Sequence, residues 1–181
     1  MKPTRAEILA AAAKTVPDLI APGLKILFVG INPGLYTAAI GRHFGRPGNR
    51  FWPALYAGGL TPRLLSPYEN HQLLGLGYGI TNIVRRATAA ADELSAEELL
   101  AGARRLRRKI ARYRPRLVAI LGVEAYRRAF RRPGATVGLQ TDRIGGARVW
   151  VLPNPSGLNA HYLPRDLARL FRALRRESER R

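Results

Sequence analysis

Cysteine is absent from the 181 residues, which excludes a disulfide framework, a thiolate zinc site, an iron–sulfur cluster and a cysteine nucleophile. Histidine occurs only as His43, His71 and His161, too scattered for a His-rich metal motif. No metal and no cofactor is expected. There is no P-loop Gly-Lys-Ser/Thr, and Gly77-Tyr78-Gly79 does not complete a G-x-G-x-x-G fingerprint, so the two commonest nucleotide cradles are missing. Long hydrophobic runs are missing too. The uncharged stretch over residues 70–84 is too short and too rich in glycine to span a bilayer. Glu7 and Lys14 interrupt the apolar N-terminal stretch, which therefore reads poorly as a signal peptide. A soluble, cytoplasmic chain that engages no membrane is expected.

Acid is scarce relative to base: 12 Asp and Glu face 31 Lys and Arg, for a formal net charge of +19. Only Lys2, Lys14, Lys25 and Lys109 are lysines; the remainder are arginines. Such a charge favours polyanions, nucleic acid first. With 46% hydrophobic residues the chain can still bury a core. One domain over residues 1–181 is expected, with a helix and linker over 1–22 and a basic tail over 176–181. Arg104, Arg105, Arg107, Arg108, Lys109 and Arg112 flank an apolar helical stripe, and fit either a solvated face or a phosphate groove.

Periodicity sets out the elements. Thr4-x-x-Glu7 is a capping box for a helix over about 5–15. The apolar run 25–31 predicts a strand buried on both faces, and residues 32–49, rich in glycine, predict a long loop. Helices follow over 49–58 and 67–76, with a strand over 77–84. Ser95-x-x-Glu98 opens a long helix whose stripe is Leu99, Ala103, Leu106, Ile110 and Tyr113. Strands over 116–122 and 148–152, and helices over 123–131 and 163–178, complete the chain. Alternating strands and helices predict an α/β fold, a three-layer α/β/α sandwich with a central four-stranded parallel sheet. Ligands of such folds sit beyond the carboxyl ends of the strands.

Two strands run into unusual loops there, Gly30-Ile-Asn-Pro-Gly34 and Pro153-Asn-Pro-Ser-Gly157. Proline restricts the residue before it, so Asn32 and Asn154 are each held in an extended backbone state at a strand end. A carboxamide offers donors and an acceptor without charge, which suits a flat polar ring or a fixed water. Either loop alone fits a structural turn equally well; their duplication at strand ends favours a site.

The motifs Gly30-Ile-Asn-Pro-Gly-Leu35, Pro47-Gly-Asn-Arg-Phe-Trp52 and Asn154-Pro-Ser-Gly-Leu158, in this order, resemble the mismatch-specific uracil/thymine DNA glycosylases of the uracil-DNA glycosylase superfamily. The resemblance spans roughly residues 24–175. It implies a monofunctional enzyme of DNA repair that flips uracil from double-stranded DNA, preferably opposite guanine, and hydrolyses its N-glycosidic bond. The partner would be duplex DNA near the nucleoid, with the protein acting as a monomer. Asn32 would position the water. Ile31, Phe44, Thr37 and Asn154 would form the base pocket, Phe44 stacking on the ring or simply filling core. Gly157, Leu158 and Asn159 would form a DNA wedge, Leu158 filling the gap left by the flipped base and Asn159 contacting the widowed guanine.

Departures from the superfamily pattern are informative. An arginine often stands two residues after the wedge leucine, where this chain has Ala160; His161 or a neighbouring arginine would have to compensate. The classical uracil-specific branch has Asp and His where Asn32 and Asn154 stand, and an amide cannot act as a general base. Asp92 and Glu93 are the only acids in the loop after the second strand. Asp92 fits either a catalytic base or a carboxylate at a helix entry. Without cysteine the iron–sulfur branches are excluded, and no lysine reads as an activated amine for a lyase step. The alternative from another class is a non-catalytic sensor of mismatched or damaged DNA.

Overall fold

The computed structural model describes residues 1–180. Five strands, β1 (Ile26–Gly30), β2 (Tyr78–Asn82), β3 (Leu117–Leu121), β4 (Gly138–Ile144) and β5 (Ala147–Leu152), form one sheet in the order β2-β1-β3-β5-β4. The first three and β5 run parallel, and β4 pairs antiparallel with β5. The expected four parallel strands are therefore present, but the sheet has a fifth, antiparallel edge strand. Its sequence, GLQTDRI, has few apolar residues because it lies at the sheet edge, half-buried on one side and wet on the other. The hairpin to β5 turns through Gly145 (φ 53°) and Gly146 (φ 89°), a pair of left-handed positions that glycine adopts without a steric penalty.

Interior strands alternate their side chains between two cores. Leu27, Val29, Val118, Ile120, Val149 and Val151 face a cluster built with α5 (Ala96–Tyr113) and α6 (Val123–Phe130), through Leu99, Leu106, Ile110, Tyr126 and Phe130. Ile26, Phe28, Ala119, Leu121 and Leu152 face the opposite cluster, built with α3 (Phe51–Ala57) and α7 (Pro164–Glu179), through Phe51, Leu55, Leu167, Phe171 and Leu174. Helices thus cover both faces. At about 25 cal/mol per Å² of apolar surface removed from water, this burial dominates the stability of the fold.

Several expected elements change at their ends. The N-terminal helix is α1 (Arg5–Leu9) followed by a 3-10 turn over Ala10–Ala13, with the Thr4/Glu7 capping box formed. The segment 32–49 is not all loop: α2 (Leu35–Ile40) lies within it, ended by Gly41 at φ 65°. The helix expected over 67–76 is a 3-10 turn at Pro67–Glu69 and the short α4 (Gln72–Gly75). Gly75 and Gly77 lack side chains to pack and break that periodicity early. The helix α7 continues to Glu179, so residues 176–179 are its last turn, and Arg181 lies outside the described residues. Among the described residues, no helix is long and apolar enough to cross a membrane.

Candidate active site

The carboxyl ends of β1, β2, β3 and β5 surround a cleft of about 280 Å³. Gly30, Ile31, Asn32, Thr37, His43, Phe44, Asn49, Asn82, Thr88, Leu121, Asn154, Ser156 and Leu158 are among its lining residues. The two Asn-Pro loops, more than a hundred positions apart in the chain, therefore meet at one site.

Asn32 is fixed by the loop that follows β2. Its Nδ2 donates to the Arg86 carbonyl at 2.9 Å and to the Thr88 hydroxyl at 2.7 Å. A carbonyl only accepts, so the nitrogen must occupy that side and Oδ1 must point away from it. Among the described residues no group donates to Oδ1, which leaves an acceptor at the cleft. Thr88 passes its own proton to the Ala90 carbonyl at 2.8 Å, and its backbone N–H donates to the Pro33 carbonyl at 3.1 Å. Arg86 is in turn held by both oxygens of Glu98 on α5, at 2.8 and 3.2 Å. That guanidinium, with the Ser95 backbone N–H, draws the Glu98 carboxyl down to about 2.

Asn154 is set the opposite way. Its Oδ1 accepts from the Ser156 backbone N–H at 3.0 Å, an Asx turn, so its amide N–H groups remain as donors. Asn49 repeats this arrangement: Oδ1 accepts from the Phe51 N–H at 2.9 Å at the start of α3. The cleft is lined by one oriented acceptor and two sets of oriented donors.

Phe44 stands at φ 52°, a left-handed conformation costing an L-residue about 1–2 kcal/mol. Its ring centroid lies 4.1 Å from that of the fully buried Phe51, so Phe44 lines the cleft backed by the core. Thr37 supports the turn by accepting the Gly45 N–H at 3.2 Å. Gly30 is the one position where β1 must lack a side chain. A Cβ there would stand 2.5 Å from Asn82 Oδ1 and 3.4 Å from the Phe44 ring.

His43, 2% exposed, bonds through Nε2 to the Pro17 carbonyl at 2.8 Å, which places the proton on that nitrogen. Burial lowers its pKa, partly opposed by this bond and by the nearby Asp18 carboxylate.

Of the residues expected at the site, Asn32, Ile31, Phe44, Thr37, Asn154 and Leu158 converge on the cleft. Asp92 does not: it is exposed in a 3-10 turn (Ala91–Glu93) and is absent from the lining, although Ala90 and Ala91 contribute to it. No carboxylate lines the cleft among the described residues. Gly157 lies beneath Leu158, packed on Gly48, and Leu158 is 77% exposed at the rim. Asn159 spends both ends of its amide on its own loop, donating to the Asn154 carbonyl at 3.1 Å and accepting from the His161 N–H at 3.1 Å. Lys109, which reads as part of a basic helix face, is instead paired with Asp18 and donates to the Thr81 hydroxyl at 3.0 Å, away from the cleft.

Asn82, His43 and Thr88 were given no site role from the sequence, and Asn49 stood out only as part of the Pro47-Gly-Asn-Arg-Phe-Trp52 motif. The available signal was the position of Asn82 at the end of an apolar strand, level with Gly30 in the parallel register.

A mostly parallel sheet with helices on both faces, and amide-lined strand ends beside an aromatic ring, define an α/β protein with a polar cleft at the carboxyl ends of its strands. The family model of the Uracil DNA glycosylase superfamily matches residues 17–175, and the chain belongs to that superfamily. The fold is also similar to the solution NMR structure of a candidate uracil DNA glycosylase from Methanosarcina acetivorans. That likeness has a TM-score of 0.59 and 20% identity, and covers 90% of this chain and 98% of that one.

Proposed function

We propose that the protein is a monofunctional DNA glycosylase that flips uracil out of duplex DNA, preferably opposite guanine, and hydrolyses its N-glycosidic bond without a cofactor. The observation that carries this is the opposed orientation of Asn32 and Asn154 beside Phe44. Cleavage of the bond leaves an oxocarbenium-like sugar and a pyrimidine anion. Donors are needed at the anion, and the N–H groups of Asn154 and Asn49 supply them. An acceptor is needed for the attacking water, and Asn32 Oδ1 supplies it. The side chain of Asn82, free of protein hydrogen bonds among the described residues, carries the donor and acceptor that match the carbonyl and N3–H of a uracil edge. Phe44 stacks on the ring.

With no carboxylate in the lining, the water is oriented rather than deprotonated before attack. It adds to the anomeric carbon as the base departs, and its proton passes to the departing anion or to solvent. The charge of +19 and the exposed Arg46 at the rim favour salt-sensitive attachment to phosphates. The test is a duplex with one G:U pair, probed for alkali-labile abasic sites; no product from G:U, A:U or single-stranded uracil would end the proposal. Profiling thymine and modified cytosines opposite G and A then defines the range, where one methyl group discriminates by about 1–3 kcal/mol.

The lining without a carboxylate favours a second reading, a non-catalytic sensor of mismatched or damaged DNA. Excess protein on labelled duplex separates the two: binding without base release is the sensor's signature.

A further inference from the structure

We propose that Arg50 is the positioning residue of the DNA wedge, an inference that rests on the glycosylase reading of the Leu158 loop. Arg50 immediately precedes α3, whose Phe51, Trp52 and Leu55 are buried in the core, so its backbone is anchored. Its side chain reaches the loop between β5 and α7, more than a hundred residues away in sequence. Nη1 donates to the Tyr162 carbonyl at 2.6 Å and the Asn159 carbonyl at 3.1 Å, and Nη2 to the Gly157 carbonyl at 3.4 Å. The Arg50 backbone N–H adds a bond to the Pro155 carbonyl at 2.8 Å. Leu158 stands at the tip of the segment these four bonds enclose.

The loop is irregular and has no ladder of its own to satisfy those carbonyls. Among the described residues no carboxylate pairs with Arg50, so its protein partners are all carbonyl dipoles. A planar fork can serve three acceptors at once, which a lysine's single ammonium cannot match in the same geometry. The contact is also close at the backbone: a Cβ on Gly157 would stand 2.5 Å from the Gly48 carbonyl oxygen, so the two loops are pressed together. A wedge must resist the base stack it opens. An exposed leucine on an untethered loop would yield; tied to α3 through Arg50, it transmits the load to the core.

The experiment compares wild type, Arg50→Met, Leu158→Ala and the double variant in single-turnover excision from a G:U duplex and from single-stranded uracil. Single strands need no wedge. Arg50→Met should lose about tenfold or more on the duplex and less than about threefold on the single strand, and the double variant should fall no further than Leu158→Ala. Arg50→Lys should recover only part of the duplex rate. A 2-aminopurine beside the uracil reads flipping directly, and its fluorescence rise should shrink in Arg50→Met. Equal losses on both substrates, or losses that add in the double variant, would overturn the role of Arg50. A wild type that excises from neither substrate would sink the glycosylase reading instead, and the fluorescence would still decide whether Arg50 holds a wedge.

Discussion

The Asn32 carboxamide and the Thr88 hydroxyl are 2.7 Å apart, and that contact, with the Arg86 carbonyl, spends both amide protons of Asn32 and turns its oxygen to the cleft. Asn32→Ala should therefore abolish most excision while duplex affinity, set by phosphate contacts, stays within about twofold. Thr88→Val keeps the volume and removes the acceptor, leaving one half-buried N–H of Asn32 without its protein partner. It should lower the single-turnover rate with little change in binding. Gel-shift titration alongside rapid-quench excision checks both, and an Asn32→Ala protein with undiminished turnover would refute the assignment.

Gly30 tests base recognition without removing a polar group. A Cβ at this position meets the oxygen of Asn82 at 2.5 Å, the far end of a movable side chain, while the Phe44 ring at 3.4 Å is ordinary contact. Gly30→Ala should fold with a melting temperature near wild type, because only Asn82 has to turn. Excision should fall as its amide swings off the base edge. Thermal melts paired with kcat/KM on uracil duplex separate the two effects; unchanged kcat/KM would remove Asn82 from base reading.

Asp92 is exposed and outside the cleft lining. Asp92→Ala should retain single-turnover excision within about twofold, since a base must stand within hydrogen-bond reach of the proton it takes. A drop of a hundredfold or more, measured at saturating enzyme, would restore Asp92 as the general base.

His43 sets a pH dependence of known sign. Burial depresses its pKa in the folded protein below the unfolded value of about 6.5. Above that value both states are neutral and the contribution is fully present. As pH falls below about 6.5, the unfolded chain takes up the proton first, and stability declines until the folded pKa is passed. Urea melts of wild type and His43→Gln between pH 8 and 5 should show a smaller acid loss in the variant. Parallel curves would mean that His43 does not titrate differently on folding.

Much of the fold was legible in the chain. ILFVG over 26–30 and LVAIL over 117–121 are continuous apolar runs, and such runs read as strands covered on both faces. Ser95 and Glu98 mark the start of α5 because the capping box is a local device. The edge strand was not legible. In GLQTDRI only Leu139 and Ile144 are large and apolar, and what makes it a strand is the neighbouring ladder of β5. The helix α2 was hidden for a similar reason: LYTAAI lies among glycines, and its place is held by Gly34, the bond from Gly45 to Thr37 and packing of Ala38.

By itself the sequence determined the layers of the sheet and the two Asn-Pro strand ends, because periodicity and proline act over a few residues. It also excluded thiolate chemistry, and its motifs pointed to the family. Which atom of each asparagine faces the cleft was decided only by tertiary structure. That choice depends on the Arg86 carbonyl for Asn32 and on the turn at Ser156 for Asn154, within a cleft that four strand ends assemble. The same holds for Arg50 and Asp92. One reaches three carbonyls across a hundred residues of chain, and the other, near the site in sequence, stands outside it. Directionality of hydrogen bonds in three dimensions, rather than residue type, decides which of these groups can act.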